Sequence, residues 1–265
     1  MLNLTKMYLY RILHSTVALV CMLLLVGLTA FGLTVSYLMT RMADSAFPDP
    51  ETTAVVEEEE PEQTILDEYM GVIQNGFPMM FFGIFAAVFY NGDEKHGYIK
   101  NIVPQYKYRH AVLLPRLLSL AVYTVAVSLL NFLVMAIMLS CFYPGIGWGF
   151  RAETLGYIGL HFLLLMAFLF IVQFLTTLNR GTAIPVCFSV FASMNAAALV
   201  ALPLNFLAYK LLNIRDAAIE RFFLDTYLFD IRSGENVWSL FALFGCYAVG
   251  TALLSCLLLN KRDVR

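Results

Sequence analysis

At 265 residues, with 60% hydrophobic and 14% charged side chains, the chain carries more apolar surface than a soluble domain hides, since soluble domains run at roughly 45–50% apolar and about 25% charged. A mean hydropathy of +0.74, gathered in unbroken runs, points to lipid as the solvent. The formal net charge of −2 lacks the basic excess of a nucleic-acid binder and is unevenly spread, with ten of the nineteen acidic residues between Asp44 and Glu68.

In residues 1–16, Leu2, Leu4, Met7, Leu9, Ile12 and Leu13 alternate at helical spacing with Asn3, Lys6, Arg11 and His14. That pattern suits a helix lying in the membrane interface, the alternative being a plain extension of the first span. A run of about 20 apolar residues crosses a hydrocarbon core about 30 Å thick as a helix. Six such runs predict spans at about 17–38, 72–90, 112–140, 155–178, 182–204 and 237–259. The first is too long for a cleaved leader and lacks a small-residue cleavage pattern, so it is expected to stay as a helix. The segment 41–70 carries Pro48, Pro50, Pro61 and the run Glu57–Glu60, which argue against a compact fold.

An even number of spans puts both termini on one side, and short cytoplasmic segments carry the excess of Lys and Arg. With the termini inside, the inner set is Lys6, Arg11, Lys95, Lys100, Lys107, Arg109, Arg116, Arg180, Lys261, Arg262 and Arg265. The outer set is Arg41, Arg151, Lys210, Arg215, Arg221 and Arg232. Eleven against six predicts cytoplasmic termini and a cytoplasmic loop at 91–110. The outer segment 205–236 mixes Phe206, Leu211, Phe222, Phe223 and Leu228 with spaced charges, as amphipathic or re-entrant helices do.

Catalytic signatures are missing from the chain: it has no HExxH, no GxxxxGK[ST] phosphate loop and no GxSxG turn. His14, His96, His110 and His161 are scattered, and Cys21, Cys141, Cys187, Cys246 and Cys256 contain no CxxC pair, so neither a metal site nor a disulfide framework is read. With no carboxylate in the middle of a span, movement of a solute would draw its energy from a partner. Polar residues in the spans are few. Asn131, Gln173, Ser189, Ser193 and Asn195 are the candidates for lining a substrate cavity, against the alternative of interhelical hydrogen bonding, which also covers Thr124, Ser128 and His161.

In the loop 91–110, Asp93 and Glu94 are expected at the start of a short helix, where the positive end of its dipole favours them, with Lys100 toward its end. Gly97 allows close approach, Pro104 stops the helix, and Tyr98 and Ile99 offer apolar contact to a soluble partner. A solvated loop kept basic by topology is the alternative. Glu94-x-x-Gly97-x-x-Lys100-Asn101, followed by Arg109 before the third span, resembles the first intracellular loop of ABC-2 type permeases, the type V exporter fold. The opening Met1-Leu-Asn-Leu-Thr-Lys-Met-Tyr-Leu-Tyr-Arg11 is similar to the interfacial helix of many Firmicutes members.

The resemblance implies an all-α membrane protein with six transmembrane helices, an N-terminal interfacial helix, a cytoplasmic coupling helix and outer re-entrant helices before the last span. It implies a single permease domain over 1–265 in the bacterial plasma membrane, without an ATPase site of its own. ATP and Mg would be held by separate nucleotide-binding ATPase subunits, docked through Glu94, Gly97, Tyr98, Ile99, Lys100, Asn101 and Arg109, and a second permease copy or sister permease would complete the pore. The expected cargo is hydrophobic or amphipathic: a peptide toxin or antimicrobial peptide, a drug or a lipid-like molecule. A non-transporting scaffold or sensor that holds a cytoplasmic protein is the alternative.

Overall fold

The computed structural model describes residues 2–46, 64–95, 112–179, 181–212, 223–229, 231 and 237–261. Among these the chain is helical, joined by short turns, with no strand. In order come α1 (Leu2–Leu13), α2 (Thr16–Ala46), α3 (Ile65–Gln74), α4 (Phe77–Lys95) and α5 (Leu113–Phe142). They are followed by α6 (Ala152–Asn179), α7 (Ala183–Ser193), α8 (Ala196–Leu212), α9 (Leu224–Phe229) and α10 (Val237–Lys261). Among the described residues, four helices, α2, α5, α6 and α10, are long and apolar enough to cross a membrane, and the pair α3–α4, bent by 51° at its break, makes a fifth candidate.

Local chemistry explains several of the boundaries. Pro78, Pro115 and Pro185 all fall in the first turn of a helix, where the missing N–H has no intrahelical partner anyway. Ser15 separates α1 from α2 by accepting the Ala18 N–H on its hydroxyl at 3.4 Å. Thr64 caps α3: its extended backbone turns the chain, its hydroxyl accepts the Asp67 N–H at 3.3 Å, and it donates to the Asp67 carboxylate at 2.6 Å.

The segment expected as an outer loop over 41–70 is shorter than that, because α2 runs on through Ala46 and α3 begins at Ile65. Ile65, Leu66, Tyr69 and Ile73 recur at helical spacing, and Ile65, Tyr69 and Ile73 pack against Met135, Ala136 and Leu139 of α5. The acidic core of that segment, 47–63, lies outside the described residues. The run expected as one span over 182–204 is interrupted: α7 stops at Ser193 and α8 starts at Ala196. Asn195 takes the left-handed conformation at φ 54, which asparagine tolerates better than most residues. The N–H groups of Met194 and Asn195 fold back onto the carbonyls of Phe191 and Ala192, each at 3.1 Å. In the region expected as re-entrant over 205–236, α8 continues to Leu212 and the six-residue α9 follows.

Helix α6 is central, contacted by α4, α7, α9 and α10. Helix α5 carries α1 and α2, and α4 joins the two groups by packing on both α2 and α7. The faces of α5 show what kind of solvent this arrangement suits. Leu118, Val122, Val125, Leu129, Leu133 and Ile137 are exposed along one side, while Arg116, Ser119, Thr124, Ser128 and Asn131 are buried on the other. Apolar outside and polar inside is the reverse of a helix in water, and it is the arrangement that lipid demands. Among lipid-solvated helices, close fit replaces the hydrophobic drive as the source of packing energy. At Gly83 of α4 a Cβ would lie 2.4 Å from the Ser189 hydroxyl of α7 and 3.0 Å from the Phe168 ring of α6. Only glycine lets these three helices meet there.

Candidate functional site

Two places in the bundle gather chemistry. The first is at the end where α4 finishes and α5 begins. Asp93 lies in the last turn of α4, which runs to Lys95, and not at the start of a new helix as its neighbours in sequence suggested. The negative end of the α4 dipole disfavours a carboxylate there, and two guanidinium groups offset it. Arg11 of α1 pairs with Asp93 Oδ1, and Arg116 of α5 pairs with Asp93 Oδ2 at 2.7 Å. The Asp93 side chain is fully buried, whereas Arg11 keeps 24% of its side chain exposed.

Aromatic rings complete the cluster. Arg116 Nε donates to the Tyr8 hydroxyl at 3.3 Å, and the guanidinium carbons of Arg11 and Arg116 lie 5.7 and 5.9 Å from the Tyr8 ring centre. Arg11 is also 5.7 Å from the Phe89 ring centre, within the range of cation–π attraction. Burial pushes the Tyr8 phenol above its ordinary pKa, against the opposing pull of Arg116, so this hydroxyl stays protonated at neutral pH. Three helices are thereby tied at one buried carboxylate. The tie stands at both feet of the chain segment 96–111, which leaves from α4 and returns into α5.

Of the residues expected to dock a partner, Glu94 falls in that last turn of α4, with its side chain outside the described residues. Gly97, Tyr98, Ile99, Lys100, Asn101 and Arg109 also lie outside the described residues. Of the cavity candidates, Asn131 sits on α5 and Gln173 on α6, both 2% exposed, with Asn131 Oδ1 and Gln173 Nε2 lacking a hydrogen-bond partner among the described residues. The Ser189 hydroxyl donates to the Pro185 carbonyl at 2.8 Å and that of Ser193 to Val190 at 2.7 Å. Ser193 and Asn195 frame the α7–α8 break, which meets the α3–α4 break. A Cβ on Gly76, whose φ is +75, would lie 2.4 Å from the Ser193 carbonyl oxygen and 2.8 Å from the Phe229 ring.

The second place is a cavity of 390 Å³ between α6, α7, α8, α9 and α10. Phe168, Phe188, Phe191, Phe223 and Tyr247 line it together with Asp225, and none of the five cavity candidates from the sequence is among its described lining. Asp225 belongs to α9 and is 8% exposed.

Sequence reasoning counted Arg116 only as a flanking charge and read nothing into Tyr8 or Asp225. For Arg116 a signal existed: it heads the polar series Ser119, Thr124, Ser128 and Asn131 at helical spacing. For Tyr8 there was none, because its partner Arg116 is distant in the chain, and the aromatic residues that line the cavity with Asp225 come mostly from other helices.

Helices fit to cross a membrane, an apolar exterior and inward-facing polar groups are the make-up of a multi-pass α-helical membrane protein. No protein-family model and no curated protein matches the chain.

Proposed function

We propose that the chain is the membrane subunit of an ATP-driven exporter of the ABC-2 type, with six crossings formed by α2, the bent pair α3–α4, α5, α6, the broken pair α7–α8, and α10. Both termini and the segment 96–111 face the cytoplasm on this reading, in line with the eleven-to-six bias of Lys and Arg. The observation that carries the proposal is the buried Arg11–Asp93–Arg116 cluster at the feet of that segment. A soluble ATPase resting on the segment would push against a point where three helices are joined by charge, so the push reaches the spans as rigid-body tilt instead of dissipating in a loose connector. ATP and Mg belong to the partner. A second permease copy or sister permease encloses the pathway, and the cargo is hydrophobic or amphipathic.

The test is reconstitution with the ATPase that co-purifies with the chain. Truncating Tyr98 to Ala is expected to weaken association about five- to thirtyfold, the effect of a moderate interface anchor. Exchanging the charges of Glu94 and Lys100 is expected to impair stimulated ATP hydrolysis while the helices stay folded, because exposed charges fix register more than stability. Unchanged ATPase binding and turnover in both variants would sink the exporter and favour a scaffold that holds a cytoplasmic protein by another surface.

A further inference from the structure

We infer that the loop between α5 and α6, residues 143–151, is a membrane anchor seated in the phospholipid headgroup layer of the leaflet opposite α1, and that α3 is fastened to it. The inference stands apart from the export reading. Length along the bundle is the first argument. Helix α1 has 12 residues, too few to span, and its exposed Lys6, Tyr10 and Leu13 suit one headgroup layer. Arg116, near the start of α5, is tied to Tyr8 of α1, and α5 continues from there to Phe142, a rise of about 40 Å at about 1.5 Å per residue. A bilayer measures about 40–45 Å with both headgroup layers included. The loop that follows α5 therefore falls in the second layer.

Side-chain chemistry is the second argument. Tyr143, Trp148 and Phe150 are exposed, and the rings of Trp148 and Phe150 stack with planes 8° apart. Beside them Tyr37 of α2 stacks on Phe142 at 4.5 Å, meets Tyr143 edge-on and carries the Arg41 guanidinium at 5.3 Å from its centre. Arg41 and Arg151 are both exposed. At headgroup depth, Trp and Tyr bury their rings against the tops of the acyl chains and turn their polar edges to water, while arginines meet phosphates. Rigidity is the third argument. The Ile65 N–H donates to the Gly147 carbonyl at 3.0 Å, and Gly149, at φ +67, leaves no room for a Cβ beside the Thr64 side chain. The loop thus presents its rings from a fixed backbone, and α3 begins at that loop. Since α4 ends at Asp93 beside Arg11 of α1, the α3–α4 pair runs from one headgroup layer to the other as a bent crossing and not as a re-entrant hairpin.

Tryptophan fluorescence of the full chain in phosphatidylcholine vesicles tests both parts. The chain has two tryptophans, so Trp238→Phe leaves Trp148 as the only one. The quenchers are lipids brominated close to the glycerol, lipids brominated close to the chain end, and iodide in the water. Shallow bromines are expected to quench Trp148 at least about twofold more than deep ones, with weak quenching by iodide. A second variant, Trp148→Phe with Trp238→Phe and Phe77→Trp, puts the single probe at the α3–α4 bend, where Phe77 is exposed. Position 77 stands about 24 Å along α4 from Asp93, close to mid-bilayer, so the order of the two lipids should reverse. Strong iodide quenching of Trp148 with none from brominated lipid would put the loop in water, open to a soluble partner or a second copy, and would overturn the anchor. Stronger quenching of Trp148 by deep bromines would overturn it as well. A shallow profile for the probe at position 77 would overturn the crossing of α3–α4 and leave the anchor.

Discussion

The Asp93 cluster and the meeting of two helix breaks at Gly76 and Ser193 both place awkward groups inside a bundle built for lipid, and they are held by different means. At Asp93 the problem is charge, and the remedy is chemical: two guanidinium groups from distant helices reach one carboxylate. At Gly76 the problem is interrupted backbone, and the remedy is geometric. A residue without a side chain at φ +75 lets one break seat against the carbonyl of the other. Charge can be replaced by something uncharged of similar size, whereas a geometric fit has no chemical substitute. The comparison therefore predicts that the first region can be rescued by a second substitution and that the second cannot.

The largest effect is expected at Asp93. Asp93→Asn leaves Arg116 buried without its counter-charge and should destabilise the chain by about 3–5 kcal/mol, read from unfolding in mixed micelles. Replacing the pair together, Asp93→Leu with Arg116→Met, should recover most of that loss, since well-packed apolar side chains often match a buried ion pair. The recovered protein should still lose stimulated ATPase activity, because the three-helix tie is gone. If the double variant is no more stable than the single one, the cluster is more than a satisfied charge and the comparison fails.

Next comes Gly76→Ala. The left-handed backbone costs about 1–2 kcal/mol for a residue with a Cβ, and overlap with the Ser193 carbonyl and the Phe229 ring adds about 1–3 kcal/mol. A loss of about 2–5 kcal/mol is expected in the same assay, with no rescue by trimming Phe229 to Leu, because the Ser193 carbonyl remains. Full rescue by that trimming would show that the ring, not the meeting of the backbones, sets the requirement.

The smallest effect is expected at Tyr69, whose hydroxyl donates to the Ser128 carbonyl at 3.1 Å and whose ring meets Phe132 edge-on at 5.0 Å. Tyr69→Phe keeps the ring contact and removes one interhelical hydrogen bond, a contribution of about 0.6 kcal/mol between membrane helices. A loss several times larger would mean that the α3–α4 bend is held by this bond and not by Gly76.

What could be read from the sequence follows from short-range periodicity. The separate N-terminal helix, the long spans α2, α5, α6 and α10, and the polar stripe of α5 all announce themselves within a few turns of chain, because lipid imposes one rule on every residue of a span. The start of α3 was legible in principle, since Thr64 and Asp67 form a capping pair before an apolar repeat. The break at Asn195 was not legible, since the alanines that follow it continue an apolar run and only the backbone shows the left-handed residue.

Composition, span number to within one or two, and the solvent of the outer surface were thus determined by the sequence itself, because each depends on the local density of apolar residues. The tertiary structure alone decided where the charges end up. Asp93 reads in sequence as the opening of a loop and becomes the buried centre of a three-helix tie. Asp225 reads as one charge among many before the last span and becomes the one acidic residue among the described lining of an aromatic cavity. The reason is physical: the energy of a buried charge depends on groups that lie far away in the chain and close in space, and no window of neighbouring residues contains them.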